Sequence, residues 1–276
     1  MTMENKLILT DEEYYSIKDR LSASGIKYMD DCPAMYKRYI ENGIEKTTAM
    51  SQGSYVHAFT LEPNKIDDNF AYLKKELLPF PELDFRNAEN KKYRNEWVEL
   101  NKHKIILTKE DDYNDVVNGV NAISNNKVVQ ALLKGADFEV PYLWEQPETG
   151  ALMRGKADIV NWNKRFVADI KKMPNLNPKY VQSEVFKRYI HTQAVCYLEM
   201  CSIMSGEQFE DFFIIGVDLA NGICQVFRLD FGVLEKGKET YLKVCEEYKK
   251  CVDTGLWSDY SKYSQDKTGI IELGVL

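Results

Sequence analysis

Apolar positions along this chain keep two different rhythms. Up to about residue 135 they recur at the three-to-four spacing of helices, and from 137 they alternate with polar positions in short runs. The runs "DFEVPYLWEQ" (137–146), "ALMRGKADIV" (151–160) and "RFVADIK" (165–171) read as three successive strands. The first two are joined at "PETG" and the last two at the polar "NWNK". After the loop "KMPNLNP" a long helix is expected from Pro178 to about Met204, stopped by Gly206. "FEDFFIIGVD" and "ICQVFRLDF" form a further hairpin around "ANG", and an amphipathic helix over 233–253 closes the pattern. Upstream, Ser22 or Ser24 can cap a helix, Pro33 can start the next, and "AMSQGSYVHAFTLEP" forms a short helix that carries His57 and ends at Pro63. Further helices are expected over 91–102 and 109–134. The order of helices, three strands, helix, two strands and helix predicts an α/β fold with a mixed sheet.

Two strand positions break the apolar alternation with acids, Asp158 and Asp169. If the hairpin turns at Asn163 and Lys164, paired positions sum to 327. Asp158 then sits opposite Asp169 with the side chains roughly 5 Å apart. A four-residue loop keeps that pairing, and a three-residue loop breaks it. Lys171 shares the face of Asp169, while Ile170 turns into the core. Two facing carboxylates repel, and a divalent cation such as Mg2+ or Mn2+ between them offsets the repulsion with hard oxygen ligands.

Composition narrows the setting. The 276 residues are 44% hydrophobic and 29% charged, ordinary for a soluble globular protein, and no apolar run approaches membrane-spanning length. A cytoplasmic protein without a membrane partner is expected. Six cysteines and three histidines show no zinc-like spacing and read mostly as reduced thiols. The net charge of −7 argues against a protein that coats nucleic acid indiscriminately, yet leaves room for a focused site. The basic clusters "KKYR" and "KHK" read as solvated helix faces. Residues 76–90 mix prolines and acids with Leu77, Leu78, Phe80, Leu83 and Phe85, a surface loop open to two readings: an interface, or packing on its own domain.

Taken together, Asp158 followed by Asp169-Ile170-Lys171 resembles the signature of the PD-(D/E)XK nuclease superfamily. Four further segments carry the likeness: "GSYVHAFTLEP" resembles the histidine-bearing segment of RecB-like nucleases, "FEVPYLWEQPETGALMRGKAD" is similar to the strand-turn-strand of RecE-type phage exonucleases, "YIHTQAVCYLE" resembles the Gln-x-x-x-Tyr helix motif, and "LSASGIKYMDDCPAMY" resembles the N-terminal Ser-x-Ser segment these proteins share. The resemblance covers roughly 20–260. It departs at Lys172-Met173, where Thr residues are usual, and it lacks the iron–sulfur cysteines of Cas4-like relatives.

The resemblance implies a restriction-endonuclease-like core, a central mixed β-sheet flanked by helices, with a helical N-terminal region. It implies one nuclease domain over 1–276: a mainly helical part (1–135), the core and closing helix (136–255) and a tail (256–276). Asp158, Asp169 and the Ile170 carbonyl are the implied oxygen ligands of Mg2+ or Mn2+, and His57 is the nitrogen ligand. Lys171 would orient or deprotonate the attacking water, or stabilise transition-state charge. Glu139 serves a second metal or an ordered water. Gln193 and Tyr197, four apart on one helix face, either position the DNA backbone or simply pack. Arg154, Ser22 and Ser24 either contact phosphate or are explained by solvation and capping, and His191 is structural. The implied activity is metal-dependent hydrolysis of linear double-stranded DNA from its ends, 5′→3′, leaving 3′ overhangs for a RecT-type single-strand annealing recombinase, by a ring-shaped homo-oligomer. The alternatives are a Cas4- or RecB-like nuclease in another repair or defence context, and a catalytically inactive DNA-binding module.

Overall fold

The computed structural model describes residues 9–264 and 270–271. Helix α1 (Asp11–Ser16) and strand β1 (Leu21–Ser22) precede helices α2 (Ile26–Asp31), α3 (Pro33–Asn42) and α4 (Thr48–Leu61). The short α5 (Ile66–Asn69) leads into β2 (Phe70–Tyr72), which pairs in parallel with β3 (Ile105–Leu107) across the intervening α6 (Ala88–Leu100). Helices α7 (Glu110–Asn125) and α8 (Lys127–Leu133) lead to β4 (Asp137–Glu145), β5 (Leu152–Asn161) and β6 (Phe166–Lys172). Then come α9 (Pro178–Lys187), α10 (Ile190–Ser205), β7 (Asp211–Asp218), β8 (Ile223–Arg228) and α11 (Phe231–Thr254). Among the described residues no helix is long and apolar enough to cross a membrane.

The expected mixed α/β architecture is present. A six-stranded sheet runs in the order β1-β5-β6-β7-β8, with β4 on the other edge of β5. The β5–β6 turn is a four-residue loop whose ladder pairs Ile159 with Ala168, Val160 with Val167 and Asn161 with Phe166, so the register sum of 327 holds. Beyond Ile159 and Ala168 the two strands part. Further along the same edge of β5, β1 pairs in parallel with Met153 and Arg154. Among the described residues, 155–158 of that edge therefore face no partner strand, and the sheet forks there.

Alternation along the strands sends side chains into two cores. Val160, Val167, Phe212 and Ile214 pack with Tyr197, Tyr241 and Val244 under α10 and α11. Ile159, Ala168, Ile170 and Ile215 pack with Tyr55, Val56, Val116 and Ile123 under α4 and α7. Two-sided burial explains why these strands read as nearly continuous apolar runs. Within the fork, Ala157 joins the first of these cores.

Some local expectations are corrected. The helix expected over 178–204 is two helices, broken where Tyr189 takes a left-handed conformation (φ 57). No Gly or Pro marks the break; the Tyr189 hydroxyl donates to Asp30 and Arg188 to the Lys172 carbonyl, so tertiary bonds offset the strain. The 109–134 helix is also divided, since Asn126 ends α7 and its side chain accepts from Val128 and Val129 N–H to start α8. Neither Ser22 nor Ser24 caps α2, whose N-cap is Gly25. In the 76–90 loop Leu77, Phe80 and Leu83 are exposed, whereas Leu78 is buried and the Phe85 ring lies under Arg94. The loop is held by buried Asn90, which accepts from Phe80 N–H and donates to the carbonyls of Phe80 and Leu83. Of the expected tail, Trp257 stacks on Tyr36; 265–269 and 272–276 lie outside the described residues.

Helix α11 crosses α10 at Gly237, where an added methyl would lie 2.4 Å from the His191 carbonyl oxygen and 3.1 Å from Val195 Cγ2. Backbone cannot yield as a side-chain tip can. Gly237→Ala is expected to cost about 1–3 kcal/mol, lowering the melting temperature by about 2–4 °C per kcal/mol. Unchanged melting of this variant in a thermal scan would contradict the close crossing.

Candidate metal centre

The fork gathers ionisable residues from four elements. Arg154, Lys156 and Asp158 occupy every second position of β5 and so share a face, as do Asp169 and Lys171 on β6. On β4, Val140 pairs with Ala157 and Phe138 with Ile159, which brings Glu139 opposite Asp158. Glu139 has φ 51, a left-handed conformation that interrupts the ladder at this one position. The fourth element is α4. Its Thr47 cap accepts from Met50 N–H, and ten residues on the helix presents His57 to the fork. His57 Nε2 lies 2.7 Å from the Ile170 carbonyl oxygen, and Nδ1 lies 3.1 Å from Asp158 Oδ2. Asp158 Oδ2 also accepts the Ile170 N–H at 3.3 Å, a donor that the parting strands leave free. One ligand atom from each of His57, Glu139 and Asp158 lies within 4.8 Å of the others.

Electrostatics divides the two aspartates. Burial pushes the Asp158 carboxyl well above the usual carboxylate range, and the charges of Asp169 and Glu139 push it the same way. Burial acts likewise on Asp169, but the Lys171 ammonium, the neighbouring Asp158 side chain and the His57 ring outweigh it, leaving Asp169 below its ordinary value. The two shifts are opposed, so of the pair Asp158 takes up a proton more readily. Burial lowers His57, so its ring is neutral. A carbonyl only accepts, so in the neutral ring Nε2 carries the proton toward Ile170 and Nδ1 turns its lone pair to Asp158.

Asp169 is 1% exposed, and Lys171 Nζ stands 2.5 Å from its Oδ2 as counter-charge. Burying two neighbouring carboxyl groups is costly, and one ammonium offsets only part of that cost. Asp169, the neighbouring Asp158, a neutral imidazole and a main-chain carbonyl together form a hard oxygen-and-nitrogen donor set, which suits Mg2+ or Mn2+. The residues present therefore fit a divalent cation.

The fork opens into a cleft of about 1340 Å³. Its lining carries eight Lys and Arg against five Asp and Glu, a local excess of positive charge on a chain of net charge −7. The sequence scatters these cations, and only the fold collects them. Arg154 lines this cleft but is 6% exposed, with Nη1 donating to the Tyr14 carbonyl at 2.7 Å and its ring-side face over Tyr14. Ser22 is buried and its Oγ accepts the Gly25 N–H, whereas Ser24 is exposed; both line the cleft. Tyr197 lines the cleft and takes a hydrogen bond from Gln193, which stands one turn behind it. His191 is buried, with Nδ1 3.2 Å from the Val185 carbonyl. Lys172, at the departure from the family pattern, also lines the cleft and bonds Gln52, while Met173 is in the core.

Sequence reasoning missed Lys156, whose ammonium lies 2.7 Å from Glu139 Oε2 and 2.9 Å from Asp11 Oδ1. Its position two residues before Asp158 was the available signal, since that places both side chains on one face. Asp11 and Lys65 left no such signal.

The family described as "PDDEXK-like domain of unknown function (DUF3799)" matches residues 22–265. A structure from Eubacterium rectale described as a candidate exonuclease is similar with a TM-score of 0.63 at 17% identity, over 98% of this chain and 97% of that one. At that identity the likeness establishes the fold alone. A phage-related exonuclease from Haemophilus somnus aligns over 62% of this chain and 85% of its own, at 12% identity and a TM-score of 0.35. A search of curated proteins gave no match.

The buried carboxylate pair sets a signature in thermal melting. Asp158→Asn removes a group forced against Asp169 while keeping an acceptor for the Ile170 N–H. It is expected to melt higher than the parent in EDTA and to lose the stabilisation that Mn2+ gives the parent. A lower melting point in EDTA, or an undiminished response to Mn2+, would contradict the assignment.

Proposed function

The chain belongs to the PDDEXK-like domain family, and from that premise we propose that it is a divalent-metal-dependent DNA exonuclease acting on the ends of linear duplexes. The observation that carries this reading is the pair of buried carboxyl groups, Asp158 in the wall of a cleft whose lining is net positive and Asp169 beside it against Lys171. The name given to the Eubacterium rectale structure supports the choice of exonuclease over other nucleases. Polarity 5′→3′, with 3′ overhangs passed to a RecT-type annealing recombinase, extends the proposal by resemblance.

Phosphodiester hydrolysis needs an activated water, neutralised phosphate charge and a stabilised leaving oxygen, and a bound divalent ion supplies all three. Asp158, Asp169, the Ile170 carbonyl and His57 would hold it, with Glu139 as a further carboxylate. Lys171 is fixed against Asp169 on the solvent side of the fork, its side chain 17% exposed. From there its ammonium orients the attacking water and counters charge that develops on the phosphate. Lys156 holds Glu139 by an ion pair, which fixes the carboxylate's direction on its strained backbone. The cationic walls draw the phosphate backbone toward the fork. A ring-shaped homo-oligomer belongs to the same proposal. Its role is retention between turnovers, because the cleft already offers local attraction.

Asp169→Ala and Lys171→Ala are expected to lower DNA hydrolysis by roughly a thousandfold or more while leaving the protein folded. The decisive assay compares linear and circular duplex DNA with Mg2+ or Mn2+. Loss of the linear form alone is expected. Cutting of the circle would make the protein an endonuclease, and activity within tenfold of the parent in both variants would remove the site from the mechanism.

A further inference from the structure

We propose that Arg154, Lys156 and Lys65 form a phosphate subsite in the cleft wall, and that helix α1 fills it with an internal anion, the Asp11 carboxylate. This rests on the reading of the cleft as a nucleic-acid site. Asp11 uses both oxygens to span two elements: Oδ2 lies 3.0 Å from Lys65 Nζ, just after α4, and Oδ1 lies 2.9 Å from Lys156 Nζ on β5. A phosphate presents paired anionic oxygens in the same manner. Further contacts of α1 fall on the same cations. The Tyr14 carbonyl takes Arg154 Nη1, the Tyr14 ring lies 5.2 Å from the guanidinium, and the Tyr15 ring lies 5.6 Å from the Lys156 ammonium. Asp11, Tyr14 and Tyr15 stand three and four apart, so one face of the helix is committed to these groups.

A second observation points to a missing occupant. Arg154 is 6% exposed, yet its Nε is buried without a hydrogen-bond partner. A buried guanidinium with an unmet donor is a site prepared for more acceptors than α1 brings. Two other carboxylates share the lysines: Glu62 Oε1 is 2.6 Å from Lys65 and Glu139 Oε2 is 2.7 Å from Lys156. Three cations against these two Glu leave the subsite positive once Asp11 moves away. Helix α1 has six residues, too few to hold by itself, so its place rests on these contacts and on the buried Tyr14 ring, which displacement by a phosphate would release.

The test measures binding of a fluorescein-labelled duplex by anisotropy in EDTA, across a range of salt, using the full chain. Asp11→Asn is expected to tighten binding about three- to fivefold. Glu12→Gln, which removes an equal charge from the exposed side of α1, is expected to change it less than half as much. Lys65→Gln is expected to weaken binding, to lower the slope of log affinity against log salt by about one, and to abolish the gain from Asp11→Asn when the two are combined. Duplexes with 5′-phosphate and 5′-hydroxyl ends identify the source: a gain confined to the former assigns the subsite to the terminal phosphate, and an equal gain to an internal one. Unchanged or weaker binding by Asp11→Asn, with or without a lower melting point, would make α1 a structural strap and overturn the proposal. So would a gain that persists with Lys65→Gln. Cleavage of linear DNA by the parent is read separately, so a parent that binds but does not cut overturns the nuclease reading and leaves the subsite standing. A parent that does neither overturns both.

Discussion

Two buried carboxylates on neighbouring strands repel one another, and much of the architecture around them answers that repulsion. Burial lifts Asp158 toward its protonated form, the Lys171 ammonium favours the ionised form of Asp169, and His57, lowered by burial, lies between Asp158 and the Ile170 carbonyl. Each of these is a partial compensation that a divalent cation would replace at once. Without the cation the arrangement costs stability, since burial either drives a proton onto a carboxyl group or leaves its charge poorly solvated. A chain that keeps such a cluster between two well-packed apolar cores has placed function ahead of stability at that point.

The fork in the sheet makes this possible. Had β5 and β6 stayed paired past Ile159 and Ala168, the Ile170 N–H and carbonyl would be spent on the ladder. Because the strands part, the N–H goes to Asp158 and the carbonyl faces His57. On the other flank β1 takes up β5 again at Met153, closing the gap that holds Lys156 and Asp158. The same opening admits the cleft, and the cations that line it come from segments far apart in the chain. Lys156 and Asp11 are 145 positions apart. Local positive charge on an acidic protein therefore arises from topology rather than composition.

This division also explains what could be read from sequence. The hairpin register and the shared face of Asp158, Asp169 and Lys171 follow from strand alternation and a four-residue loop, both local properties. The closing helix and the β7–β8 hairpin follow from pattern in the same way. The break at Tyr189 was hidden, because it depends on Asp30 and on the Lys172 carbonyl rather than on Gly or Pro. Lys65 and Asp11 were hidden for a like reason, since each looks like a solvated surface charge until the fold brings them to Lys156. Glu139 was visible as an acid upstream of Asp158, but not its left-handed backbone, which no local signal marks for a glutamate.

Crystals soaked in Mn2+ and measured at its absorption edge test the central claim most directly. An anomalous peak contacting carboxylate oxygens of both Asp158 and Asp169, with the Ile170 carbonyl or His57 completing the shell, is expected at the fork. A saturating soak that leaves the fork without a peak, or places the ion where it touches neither aspartate, would contradict the assignment of this carboxylate pair as a metal site.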